Sequence, residues 1–180
     1  MAGPPNGART RSPVSRPDPS RWSERVPIAA LAAVGLGISV YLAACQLGAV
    51  AGPWDPLFGT ESSARVIHSA LSRALPVPDA ALGAVAYAAE LAADLAGGRE
   101  RWRTHPWIVL AFGAIAAGLA LVGVALIVVQ VAVVRAGCTL CLGSALASLT
   151  IAIAVAAGGE VQAALHALSA ARQERALPLR

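Results

Sequence analysis

The sequence predicts an all-α membrane protein: a bundle of four transmembrane helices with an outer loop that carries a short half-helix. Three observations carry that prediction. Residues classed as hydrophobic make up 57% of the chain and charged ones 13%, which is the composition of a membrane protein. Four apolar segments approach the roughly 20 residues a span needs. The basic residues, all 14 of them Arg, alternate between the connections in the way topology demands.

Residues 1–24 are rich in Arg, Pro, Ser and Gly and show no apolar period. They read as a disordered cytoplasmic arm. The first span, about 26–47, runs from Val26 to Leu47 without a charge and serves as a signal anchor. At its end, Leu42-Ala43-Ala44-Cys45 has the pattern of a lipoprotein lipobox. The long arm before it and the spans after it argue against cleavage there.

The outer segment follows. Gly52-Pro53-Trp54-Asp55-Pro56-Leu57-Phe58-Gly59 is rich in turn formers. Glu61-Ser62-Ser63 can cap a short helix from Ala64 to about Leu75, ended by Pro76 and Pro78. Its apolar positions Val66, Ile67, Ala70, Leu71 and Ala74 recur at three and four, so one face suits lipid or a lipid-headed ligand.

The second span, about 80–96, is the weakest, because Glu90 and Asp94 lie inside it. Intramembrane carboxylates are costly, and here an interfacial ion-pair cluster with Arg99 and Arg101 is expected. The third span, about 107–134, and the fourth, about 138–158, contain no charge. The tail, 159–180, is partly helical.

Five Arg residues precede the first span. Arg99, Arg101 and Arg103 connect the second to the third, and Arg172, Arg175 and Arg180 lie in the tail. The opposite side has Arg65, Arg73 and Arg135. Both termini are therefore expected in the cytoplasm of a bacterium. The 48–79 segment and the 135–137 turn then face outward, where disulfides persist. The net charge of +4 is explained by topology and does not point to nucleic acid.

The chemistry lies in Cys138-Thr139-Leu140-Cys141. A helix N-terminus favours a thiolate, and i, i+3 spacing puts both sulfurs on one face. At a bilayer edge such a pair can take electrons from a protein in water and pass them to a lipid-soluble carrier. Two buried small hydrophobes would be the plain alternative. A metal site is not expected, since His68, His105 and His166 are scattered. Leu142 occupies the position where c-type haem attachment requires His.

Three stretches resemble the vitamin K epoxide reductase family in its bacterial form. Gly35-Leu36-Gly37-Ile38-Ser39-Val40-Tyr41-Leu42 is similar to its first-span motif. Val77-Pro78-Asp79-Ala80-Ala81-Leu82-Gly83-Ala84-Val85-Ala86-Tyr87 is similar to the start of its second span. Cys138-Thr139-Leu140-Cys141-Leu142 resembles its active-site motif. The resemblance covers roughly residues 26–158.

It implies a membrane thiol-disulfide oxidoreductase that couples the cysteine pair to a quinone, menaquinone or ubiquinone, and supports disulfide formation outside the cytoplasm. By that likeness Cys141 faces the quinone. Cys138 exchanges with a thioredoxin-like protein outside the cytoplasm. The family's outer segment usually has two shuttle cysteines, with Val three and Ser six residues after the second. Val66 and Ser69 match that Val and Ser, and Ser63 stands where the cysteine would be. Cys45 is then the one outer cysteine left, a candidate shuttle or resolving thiol.

The resemblance also marks Val66, Ile67, Ser69 and Asp79 as candidate quinone-binding residues. Asp79 replaces a polar amide and must be protonated to donate. Ala145 replaces an aromatic residue. The alternative is a non-catalytic quinone-binding or assembly protein that retains the fold.

Overall fold

A computed structural model describes residues 20–70, 72 and 76–176. Most of the expected arm, Leu71, residues 73–75 of the expected half-helix, and residues 177–180 of the tail lie outside the described residues. The elements are α1 (Trp22–Gln46), α2 (Thr60–Ile67), α3 (Asp79–Leu95), α4 (Arg101–Thr104), α5 (Pro106–Val129), α6 (Thr139–Gly158) and α7 (Glu160–Ala176). A π-helical turn, Gln130–Val134, extends α5.

Four long helices form a closed ring. α1 packs on α3 and α6, and α5 packs on the same two. Among the described residues three stretches are long and apolar enough to cross a membrane: Trp22–Gln46, Pro106–Val134 and Thr139–Ala157. α3 has 17 residues and contains Glu90 and Asp94, in keeping with its weak apolar pattern.

Small residues set the helix separations. A Cβ on Gly35 of α1 would stand 2.4 Å from the Tyr87 ring of α3. The ring therefore lies on bare backbone. Gly123 of α5 meets Ala145 of α6 the same way, with a Cβ placed 3.2 Å from Ala145. An aromatic side chain at 145 has no room between these helices. Close approach through small residues is how apolar helices gain contact where lipid gives no hydrophobic drive. Ile28, Ala32, Tyr87, Phe112, Ala116, Ile151 and Val155 make the central core.

α1 begins one turn before the expected 26, so residues 22–25 belong to the bundle. Tertiary contacts extend it. Arg25 stacks over the Trp22 ring at 4.2 Å and donates to the carbonyls of Asp94, Ala96 and Gly97. Arg101 donates to the carbonyls of Ala93, Asp94 and Ala96. Two guanidinium groups thus close the C-terminus of α3, where unpaired carbonyls carry partial negative charge.

Arg101 is 0% exposed and makes a bidentate pair with Glu160 of α7 at 2.6 and 2.8 Å. Ser20 also donates to Glu160. The expected cluster forms around Asp94 with Arg101, at 3.7 Å, and Arg25, at 3.8 Å; Arg99 makes no ion pair in it.

The outer helix α2 starts at Thr60, not Ala64, after Gly59 at φ 80°. Glu61, Ser62 and Ser63 lie inside it instead of capping it. The hydroxyls of Ser62 and Ser63 bond residues elsewhere in the chain, which propensity could not reveal.

Candidate functional site

The site is built where the outer segment closes over the start of α6. Cys138 is the N-cap of that helix, in extended conformation (φ −136°, ψ 111°). Its sulfur accepts the backbone N–H of Cys141 at 3.2 Å, in the manner of a capping oxygen. Its own N–H donates to the Gln130 side-chain oxygen at 3.1 Å. Gln130 is buried and belongs to the π-helical turn, a feature often found at functional sites. Arg135 then takes a left-handed conformation (φ 51°), which turns the chain into α6.

Asp55 organises the closure. Its carboxylate accepts the N–H groups of Leu57 at 2.9 Å and Phe58 at 2.8 Å, which fixes the loop's own turn. It also accepts the Ser63 hydroxyl, the Thr139 N–H at 2.7 Å and the Thr139 hydroxyl at 2.5 Å. A negative charge thus sits at the N-terminus of α6, where the helix dipole favours it. Burial works to raise the Asp55 carboxyl. Hydrogen bonds from Ser63, Thr139 and the Phe58 and Thr139 N–H groups outweigh it and hold the carboxyl well below the usual range.

Ser62 completes the closure. Its hydroxyl donates to the Gly137 carbonyl at 2.9 Å and accepts the Gly137 N–H at 3.0 Å. Phe58 lies on Gly137, where a Cβ would be 2.5 Å from the ring. Beneath this lid Cys138 is 1% exposed. Ser63, whose hydroxyl donates to Asp55, lies near enough to Cys138 to lower its thiol.

Cys138 precedes the apolar helix, and its thiol titrates below the usual value. The hydrogen bond from the Cys141 side chain lowers it most. Burial opposes this, while the Cys141 N–H and Ser63 also lower it and the Asp55 charge raises it. A thiolate is therefore favoured at Cys138, the property exchange chemistry requires.

Cys141, one turn deeper, is half-buried. It packs with Leu140, Ile38, Tyr41 and Ala80 against the buried trio Leu42, Cys45 and Ile67. Cys45 and Ile67 thus share an apolar cluster with Cys141. Cys45 also lines a cavity of about 470 Å³ between the end of α1, the loop and α2, together with Gln46, Thr60 and Ala64. None of the three cysteines is in a disulfide.

The other expected residues lie in the outer segment and at the start of α3. Val66 is half-buried. Ser69 accepts the Ser72 N–H at 3.3 Å. One oxygen of Asp79 accepts Gln46 at 2.5 Å, Ser72 at 2.7 Å and the Ala80 N–H at 2.9 Å. Gln46 also donates to the Ile67 carbonyl at 2.9 Å. Asp79 is thus an acceptor inside a network that ties the outer segment to α1 and α3.

Cys141 lies at the edge of this apolar cluster. The expected polar groups already have protein partners. Sequence reasoning missed Asp55, Gln46, Ser72, Thr139 and Gln130. Asp55-Pro56 within a turn-rich segment was the available signal for the first; the others depend on tertiary contact. Among the described residues no group of three or more His, Cys, Asp or Glu is placed to hold a metal.

The family model described as the vitamin K epoxide reductase family matches residues 26–156. No curated protein matches the chain.

Proposed function

The chain belongs to the vitamin K epoxide reductase family of membrane oxidoreductases, and on that premise we propose that it couples the Cys138/Cys141 pair to a membrane quinone and so supports disulfide formation outside the cytoplasm. The observation that carries this reading is the division of labour between the two sulfurs. Cys138 caps a helix and is biased toward thiolate, while Cys141 faces an apolar cluster.

In the forward direction the pair begins as a disulfide. A thiolate of a thioredoxin-like protein attacks the Cys138 sulfur, and Cys141 leaves as thiolate. The partner's second thiol attacks its own half of the mixed disulfide, which releases Cys138 and the oxidised partner. The dithiol then gives two electrons to a quinone held against Cys141, and the Cys138–Cys141 bond re-forms. Menaquinone and ubiquinone both fit this scheme. Ile67, with Leu42 and Ala80, forms the apolar wall, and Val66 flanks it. Ser69 and Asp79 position that wall through the Gln46 and Ser72 network.

In this reading α3 is the second of four spans. The cysteine end faces outward, and both chain ends lie in the cytoplasm of a bacterial inner membrane. The Arg-rich connections support that orientation. With Ser63 in the shuttle position, the partner attacks Cys138 directly once the loop swings away. Cys45 is a less favoured resolving thiol, because it packs with the cluster around Cys141 and Cys138 is bonded to Gln130 and Cys141.

The deep burial of Cys138 favours one rival, a non-catalytic quinone-binding or assembly protein that retains the fold. Trapping separates the two. Cys141→Ser protein mixed with an oxidised thioredoxin-like partner should accumulate a mixed disulfide through Cys138. The adduct should vanish in Cys138→Ser. An adduct that persists in Cys138→Ser contradicts the assignment.

A further inference from the structure

At the end of the bundle opposite the cysteines lies a cavity of about 180 Å³, lined by Arg25, Ile28, Asp94, Phe112, Val155 and Glu160. Its polar walls are only partly satisfied by the protein. Arg25 Nε and both carboxylate oxygens of Asp94 have no hydrogen-bond partner, although these side chains are 2% and 0% exposed. One turn deeper on α3, both oxygens of the fully buried Glu90 are also without a partner.

An ionised carboxylate in such a place is strongly disfavoured unless it is paired, solvated or protonated. The charged group recorded beside Glu90 is Asp94, one turn along the same helix, which lines the cavity while Glu90 does not; around Asp94 stand Arg25 from α1, Arg101 from α4 and Glu160 from α7. The two Arg residues lie 3.8 and 3.7 Å from Asp94, and Arg101 pairs with Glu160. Among the described residues no cation is paired with Glu90. Among the described residues no metal-holding group exists. The cavity has room for a few waters at about 30 Å³ each, with donors and acceptors to hold them.

We propose that this cavity is a water-filled inlet through which Glu90 exchanges a proton with the compartment at that end of the bundle, and that Glu90 passes its proton toward the quinone. The second part rests on the oxidoreductase reading. With Cys138 as thiolate and Cys141 as thiol, closing the disulfide releases two electrons and one proton. A quinone needs two electrons and two protons to become quinol. Glu90 supplies the missing proton, becomes a carboxylate, and is reprotonated through the inlet. Hydroxyls lie between Glu90 and the cysteine end, none of them bonded to Glu90 itself. Tyr87, one turn before Glu90, meets Ser148 at 2.6 Å and Ser144 at 3.1 Å, and Ser144 lies one turn below Cys141.

Infrared spectroscopy of the full-length protein in liposomes tests the inlet without any turnover. A protonated carboxyl band should be present, should disappear in Glu90→Gln, and should shift on transfer to heavy water. Ala154 also lines the cavity, and Ala154→Leu, which narrows it, should slow that shift at least tenfold. A missing Glu90 band, or a band that does not exchange, overturns the proposal.

The coupling is tested in liposomes that enclose a pH dye, with a membrane-impermeant dithiol peptide outside and a quinone in the bilayer. Only molecules with the cysteine end outward then react. About one interior proton should be consumed per quinone reduced, and none in Glu90→Gln. Quinone reduction without interior proton uptake overturns the coupling and leaves the oxidoreductase reading standing. If no quinone is reduced, that reading fails and the coupling with it, while the infrared result still decides the inlet.

Discussion

The Asp55 carboxylate accepts the Thr139 N–H at 2.7 Å and the Thr139 hydroxyl at 2.5 Å. One loop residue thereby closes the start of the helix that carries Cys138 and Cys141. The same carboxylate accepts the Ser63 hydroxyl, so loop and helix are locked by one charge.

Removing that charge should open the site. Asp55→Ala leaves the Thr139 and Ser63 donors without their acceptor, a loss of about 1–3 kcal/mol. The variant should melt at lower temperature in detergent, and Cys138 should be alkylated several times faster than in the natural chain. Unchanged alkylation would mean that Asp55 does not hold the lid.

The pH dependence of that lock has a definite sign. The folded carboxyl is depressed below its ordinary value of 3.8. Its stabilisation is therefore fully present above pH 3.8 and is lost only as pH falls through the lower folded value. Lid closure, read as slow hydrogen exchange of the Leu57, Phe58 and Thr139 N–H groups that Asp55 accepts, should survive down to about pH 4.

Cys138 itself should react as a thiolate below the ordinary thiol range, about 8.5. Its alkylation profile against pH in Asp55→Ala, where access is not limiting, should have a midpoint below that value. Adding Ser63→Ala should raise the midpoint, because a hydroxyl that lowers the thiol is lost.

Ser63→Cys should convert proximity into a covalent bond. Mild oxidation should link the new thiol to Cys138, detectable as a linked peptide pair after digestion and absent in the double variant with Cys138→Ser. Failure to link would place Ser63 too far from Cys138 to influence its thiol.

At the far end, Arg101→Ala should destabilise by about 3–5 kcal/mol, since it strands Glu160 and removes one of two cations beside Asp94. Thermal unfolding in detergent measures this. A change below about 1 kcal/mol would mean that the buried pair is not holding α4 and α7 to the bundle.

Much of the architecture was legible in the chain. Periodicity and charge located the helices, because span length and basic flanks are local properties. The Cys138/Cys141 pair was visible for the same reason. The arrangement of the loop was not. Asp55 reads as one more turn residue until Thr139, far along the sequence, is seen to donate to it. Likewise Ser62 and Ser63 have the pattern of a helix cap, yet their hydroxyls serve Gly137 and Asp55. The Gln46 and Ser72 partners of Asp79 were likewise not legible. Each miss concerns a polar side chain whose partner is set by tertiary packing, which no local propensity encodes.

The central claim is electron transfer from the cysteine pair to quinone. It is tested most directly by mixing purified, pre-reduced protein with menaquinone or ubiquinone analogues in detergent, for the natural chain and for Cys141→Ala. The account predicts quinol formation by the natural chain, about one per dithiol, with loss of at least a hundredfold in rate in the variant. A folded protein with free thiols that reduces neither quinone, or reduction that persists in Cys141→Ala, would contradict it.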